Sequence, residues 1–329
     1  MNRNVVGALI GLTGVVVLIA LAFVLPLQHS GAHDLPIGIA GPPATVNQVE
    51  ETLSTQMPGA FDVREYATAG ELRLGISERE VVGGIAFTPT GSSLLVTSAG
   101  GTQIAQALRG LAAPLSTRIG GTPIVEDVVP TTVDDPQAAG ITGLALPLVL
   151  GGMIPAIVFF RLLPGKPLRQ ATAAVSFAVV VGFALAAVLR FAVGTFTQNY
   201  VLVALGIALG MSAISLTLVG LAGVLGAAGL GVGAVTMMLV GNPLSGISTT
   251  SYWLPAGWAE FGQLLPPGAA GTLLRSSAFF DGHGGGPAVI VLSCWAVVGA
   301  GLTLLAWRRS TFRDPAGVST PADPVSVAG

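Results

Sequence analysis

Hydrophobic positions along this chain fall into two regimes. Val5 to Leu27 is a near-continuous apolar run, and five more follow from Ile141 onward, at about 141 to 163, 170 to 192, 199 to 222, 225 to 241 and 287 to 307. Each approaches the ~20 residues an α-helix needs to cross ~30 Å of hydrocarbon, so the pattern predicts six spanning helices. The first run is longer than the roughly 7 to 15 apolar residues of a secretory signal. It therefore reads as an uncleaved span, although Ser30-Gly31-Ala32 offers small residues where a signal could be cut.

Between the first and second spans, residues 28 to 140 change character. Leu35 to Ala40 reads as a buried strand, and Thr45 to Met57 as a helix with Val46, Val49 and Leu53 on one face. Ala60 to Tyr66 follows as strand. Thr68 and Glu71 have the spacing of a capping box and open a helix to about Ser77. Val81 to Thr88 and Ser93 to Thr97 flank Pro89-Thr-Gly91 as an antiparallel hairpin, Gly101 to Arg118 is a third helix, and Ile124 to Val129 a last strand. Alternating strands and helices predict a small α/β layer domain inserted into a helical membrane bundle.

A second irregularity lies between the last two spans, at residues 242 to 286. Leu254, Trp258, Phe261 and Leu265 recur at helical spacing, and Pro266-Pro267 stops that helix where a second, Gly268 to Phe280, begins. Two short helices meeting at a Pro-Pro corner predict a re-entrant hairpin, which survives at membrane depth only where protein or a watery cavity covers its backbone.

Composition agrees with a membrane protein: of 329 residues 52% are hydrophobic and 9% charged, against the quarter or so charged in a soluble domain. The net charge of −2, with Lys166 the only lysine and no basic stripe, gives no case for nucleic acid. Cys294 is the only cysteine, which excludes an internal disulfide and thiolate metal clusters. Arg161, Lys166 and Arg169 cluster between the second and third spans, and Arg308, Arg309 and Arg313 follow the sixth. The excess of cations in cytoplasmic loops then predicts both termini in the cytoplasm of a plasma-membrane protein, residues 28 to 140 and the hairpin outside, and 308 to 329 as a disordered cytoplasmic tail. Small residues at four-residue spacing, Gly7/Gly11, Gly206/Gly210 and Gly229/Gly233, predict close helix packing.

Candidate chemistry is sparse. Gly165-Lys166-Pro167 lacks the remainder of a phosphate loop, and Gly229-Leu-Gly231-Val-Gly233 lies within an apolar run, so the chain reads as having no ATPase, no catalytic motif and no cofactor of its own. His29, His33 and Asp34 are the nearest approach to a metal-ligand set, but a polar juxtamembrane linker favours solvation. Glu50-Glu51 and Asp134-Asp135 are adjacent in sequence and read as solvated charge. Arg190 near a span end could extend its side chain to the interface. Glu260 and Arg275, one on each hairpin helix, could meet as an ion pair or line an outer gate with Trp258, Pro266 and Pro267. Trp253, Trp258 and Phe261 read as interfacial anchors.

Several segments, LPIGIAG (35 to 41), SEREVVGGI (77 to 85), DVVPTTVDDPQAAG (127 to 140), LPLVLGGMIP (146 to 155), GNPLSG (241 to 246) and GQLLPPGAAGTLLRSSAFFDG (262 to 282), together with this layout, resemble the permease subunits of type-2 ABC exporters, in the branch similar to YhgE and the phage infection protein (Pip). The resemblance implies a permease, as homodimer or permease heterodimer, that exports a substrate when driven by a separate ATP-binding cassette ATPase. Because only about four residues precede the first apolar run, the resemblance puts coupling on the loop Leu162 to Gln170, with Arg161, Lys166 and Arg169. A different reading makes the chain a surface receptor or cell-envelope interaction protein whose α/β domain binds a ligand and whose bundle anchors and dimerises it.

Overall fold

The computed structural model describes residues 3–28, 31–89, 91–112, 122–247, 250–255 and 257–312. Helix α1 (Arg3–Gln28) leads into an α/β module: β1 (Leu35–Ala40), α2 (Pro43–Gln56), β2 (Phe61–Tyr66), α3 (Ala69–Ser77), β3 (Gly84–Thr88), β4 (Gly91–Val96), α4 (Thr102–Gly110) and β5 (Ile124–Asp127). The predicted continuation of α4 to Arg118 lies mostly outside the described residues.

The five strands form one sheet in the order β2-β1-β3-β4-β5, parallel except for the β3–β4 hairpin. Every residue of β1 is buried, as expected for a central strand covered on both faces. On one face, α2 and α4 bring Val46, Val49, Leu53, Ile104 and Leu108 against Leu35, Ile37, Ile39 and Leu94. On the other, α3 lays Leu72 and Ile76 over Ala40, Ala86 and Leu95. The layers meet closely enough that a side chain at Gly38 would collide with Leu72, which explains a glycine in the middle of a buried strand. Thr68 caps α3 by accepting from Glu71 N at 3.1 Å, while the Glu71 carboxylate accepts from Ala67 N at 3.2 Å, one residue before the expected partner.

The rest is helical: α5 (Ala139–Gly143), α6 (Ala145–Leu162), α7 (Pro167–Ala187), α8 (Tyr200–Leu225), α9 (Ala227–Val235), α10 (Trp258–Gln263), α11 (Pro266–Phe279) and α12 (Gly286–Phe312). Single π-turns extend α7 over Val188–Val193 and α9 over Thr236–Gly241. Among the described residues, four helical stretches are long and apolar enough to cross a membrane: Ala139–Leu162, Pro167–Val193, Tyr200–Leu225 and Gly286–Ser310. The Ala227–Gly241 stretch is a shorter apolar helix.

Helix α8 is the axis of the bundle. Its apolar window is 72% buried against 22% for α12, and α6, α7, α9, α11 and α12 all pack on it. Small residues allow these contacts: Gly210 faces Ala270 of α11, Gly233 of α9 faces Leu218, and Gly299 of α12 lies against the Leu216–Thr217 backbone. The Gly206/Gly210 and Gly229/Gly233 pairs thus sit at helix contacts. Gly7 and Gly11 do not, having nothing within 4 Å.

Other sequence expectations need correction. Residues 308–312, expected as the start of a disordered tail, are helical, because α12 continues to Phe312; the rest of the expected tail, 313–329, lies outside the described residues. The helix expected around Leu254 starts at Trp258 and spans six residues, because Pro255 and Gly257 (φ +82°) break the backbone just before it. Its presumed single face also divides: Leu254 and Leu265 are buried, whereas Trp258 and Phe261 are exposed. The Pro-Pro corner behaves as its chemistry dictates, with Leu265 as N-cap and the two prolines in the first turn of α11.

Candidate functional site

The two ends of the bundle differ in chemistry. At one end, the α6–α7 connection and the C-terminal turns of α8 and α12 come together, Gly223 facing both Ala306 and Pro167. The cations there, Arg161, Lys166, Arg169, Arg308 and Arg309, are all exposed. Gln170 holds the α6–α7 turn by donating to Leu163 O at 2.8 Å.

At the opposite end, the α/β module is fastened to the bundle by buried polar contacts. Asp135, expected to be solvated, is 4% exposed. Its carboxylate accepts from Ala139 N (2.6 Å), Gly140 N (2.9 Å) and Thr195 Oγ1 (2.8 Å), so it caps the turn that begins the bundle and ties it to the end of α7. Its neighbour Asp134 lies against Gly194. Asn199 donates to Asp281, joining the α7–α8 and α11–α12 connections. Tyr252 and Trp253 pack on the apolar core of the module, and Trp253 O accepts from Gly31 N at 3.1 Å. That corrects the expectation of Trp253 as a membrane anchor.

Two arginines occupy the seam between module and bundle. Arg275, on the almost wholly buried α11, is 7% exposed and donates to Ala99 O of the module at 3.2 Å and to Ile247 O at 3.1 Å. Arg79 follows α3 in a left-handed conformation (φ 63°). Its guanidinium donates to Ser276 Oγ at 2.5 Å and lies 5.0 Å from the centroid of the Phe280 ring. Gly284, also left-handed at φ +70°, lets the α11–α12 loop approach the Arg79 stem, where a side chain would meet Arg79 Cβ at 3.0 Å.

Among the described residues neither arginine has a carboxylate partner; the ion pairs are Arg64–Asp62, Arg73–Glu126 and Arg109–Asp127, all within the module. Carbonyls and a hydroxyl therefore hold two like charges, and Arg275 is disfavoured first by its burial and then by Arg79. Burial draws the Arg79 guanidinium below its ordinary range, and Tyr252 opposes that shift.

These side chains border open space. A cleft of about 280 Å³ is lined by the polar Arg79, Ser251, Tyr252, Gln263 and Thr272 and by the apolar Leu264, Pro287, Ala288 and Val291. A smaller recess of about 30 Å³ shares Arg79, Ser251, Tyr252 and Thr272 with it and reaches Arg275, Thr97 and Gly246. The recess has room for about one water molecule, so the outer cleft is the part of ligand size.

The anticipated Glu260–Arg275 pair does not form. Arg275 faces the module, whereas Glu260 is exposed on α10. Trp258 is exposed beside it, and Pro266 and Pro267 are buried, with Pro267 facing Gly241. Arg190 is half-buried with its guanidinium 5.6 Å from the centroid of the Phe191 ring. His33 lies 3.0 Å from Gly31 O, His29 is outside the described residues, and no three His, Cys, Asp or Glu side chains converge among the described residues. Arg79 escaped the sequence reading because Glu78 and Glu80 flank it, and such a charge run ordinarily marks a solvated face. Comparison with family models, curated proteins and solved structures gives no match, so the site stands on its own geometry.

Proposed function

We propose that this chain is a membrane permease subunit of the type-2 ABC exporter kind, moving a substrate outward when a separate ATPase drives it. In this reading α1 and the Ala227–Gly241 stretch complete six spans, α10 and α11 form a re-entrant hairpin, and the α/β module lies outside the cell. The observation that carries it is the two-ended build. An exposed cationic turn, Arg161 to Arg169, is free to receive a partner at one end, while at the other the module is bonded into the helices that would have to move. A tethered receptor domain needs no buried arginine reaching from an inner helix to its backbone. A transport gate needs such a link, because motion must pass between layers.

The test is copurification. An ATPase bearing nucleotide-binding motifs is expected with the tagged full chain, and replacing Arg161, Lys166 and Arg169 together by alanine is expected to release it while leaving the chain folded. If no ATPase is recovered, or if the triple variant retains it undiminished, the coupling role of this turn is wrong. In that case the receptor reading, with the bundle as anchor and dimerisation unit, takes its place.

A further inference from the structure

The lining of the cleft between module and bundle mixes two chemistries. Arg79, half-buried, has among the described residues no carboxylate partner and one side-chain hydrogen bond, to Ser276, and its guanidinium lies over the Phe280 ring. Ser251 and Tyr252 add hydroxyl groups to the same lining, whereas Thr272 donates to Gln263 and Gln263 to Ser245 O. The apolar part of the lining is Leu264 with the first turns of α12, Pro287, Ala288 and Val291. Those turns start the stretch Gly286–Ser310, one of the four capable of crossing a membrane, and neighbouring Ile290 is 65% exposed. A cleft at the very end of a spanning helix lies at headgroup depth, and the exposed side of that helix continues downward from it into hydrocarbon. Two turns further along the same helix, about 12 Å from Pro287, Trp295 donates its indole N–H to Leu264 O at 2.8 Å and fixes Leu264 against it.

A cation seeking an anion, hydroxyl donors around it and a greasy flank opening along a spanning helix together define an amphiphile. We propose that this cleft binds the anionic headgroup of a lipid-like molecule, a phosphate monoester or comparable anion, at Arg79, with its acyl chain descending along Leu264, Pro287 and Val291. Arg275 sits behind Arg79 as a second positive charge in the inner recess and raises the attraction for an anion without being reached by the chain. This names the substrate class for the permease reading and uses only its placement of the spans. Binding is measured without any ATPase, so failure here and failure of the coupling test are separate results.

The experiment uses the purified full chain in a non-ionic detergent and reads ligand binding by native mass spectrometry. It compares short-chain phosphatidic acid, phosphatidylcholine with the same chains, and inorganic phosphate. Phosphatidic acid is expected to bind at least about tenfold more tightly than phosphatidylcholine, with phosphate a weak competitor. Arg79→Gln is expected to remove that preference, and Leu264→Asp to weaken phosphatidic acid without strengthening phosphate. Equal binding of the two lipids would overturn the proposal, and that comparison needs no variant. Phosphate binding as tightly as phosphatidic acid would overturn the lipid part and leave a soluble anion as the ligand. An undiminished preference in a folded Arg79→Gln would overturn the assignment of the headgroup site.

Discussion

Buried charge decides most of what single residues do in this protein. Asp135 satisfies two backbone amides and the Thr195 hydroxyl where the chain passes from the module into the bundle. Leaving a buried donor without its acceptor costs about 1–3 kcal/mol, more than the net worth of the bond that held it. Asp135→Ala is therefore expected to destabilise the folded chain by about 2 kcal/mol, and Asp135→Asn, which keeps one acceptor oxygen, by less. Thermal unfolding in detergent checks this, with a drop of roughly 4–8 °C for the alanine variant; an unchanged midpoint would mean water replaces the carboxylate at no cost. Nothing in the sequence distinguishes Asp135 from Asp134. The cap depends on which of the two points inward, and the turn geometry fixes that. Arg79 and Arg275 show the same limit from the other side. A lone arginine in SEREV reads as solvated and one in TLLRSS as a partner for an acid, because their true partners, Ser276 Oγ, Ala99 O and Ile247 O, come from distant or featureless parts of the chain.

Elements were more legible where their signals are local. Strands β1 to β5, the Thr68 cap and the proline start of α11 follow from adjacent residues, and each forms within a few positions of its expected limits. Burial of α11 was not legible: its Gly, Ala and Ser content is weakly apolar, and only the packing of α8 against it makes it an inner helix. One tie between elements carries a pH dependence. Arg73 of α3 holds Glu126 of β5 with two bonds, at 2.9 and 2.7 Å, and this pairing draws the Glu126 carboxyl below its ordinary value of 4.5. A carboxyl depressed in the folded state contributes stability above its unfolded value and loses it as pH falls through the folded value. Both side chains are 40% exposed, so solvent screening holds the contribution to about 1 kcal/mol or less. Glu126→Gln is accordingly expected to lower the unfolding midpoint slightly near pH 7 and to match the unmodified chain once the pH falls below the depressed folded-state value of Glu126. A deficit that is constant across that range would assign the effect to packing instead of charge.

The molecule as a whole is polarised: cations gather at the α6–α7 and α12 ends, while the acidic α/β module crowns the other end of the same helices. Cations near span ends resist translocation far more strongly than acids, so this asymmetry predicts an orientation for the bundle. The expected arrangement has Lys166 and both termini facing the cytoplasm and the module facing out, which requires an even number of crossings between Lys166 and each chain end and an odd number between the module and each chain end. Cys294 is the only cysteine and lies exposed on α12, so replacing it with alanine leaves a background in which single cysteines report sidedness. In that background Glu50→Cys, on the exposed face of α2, is expected to react with a membrane-impermeant maleimide in intact cells. Lys166→Cys should react only after the membrane is opened. The two sites lie on opposite ends of one bundle whatever its orientation, with the single stretch Ala139–Leu162 between them in the chain, so labelling both from the same side would contradict the spanning assignment of that stretch. Reversed accessibility would keep the fold but invert the transporter, placing the two-arginine cleft at the inner leaflet and turning the proposed outward gate into an intake for cytoplasmic amphiphiles.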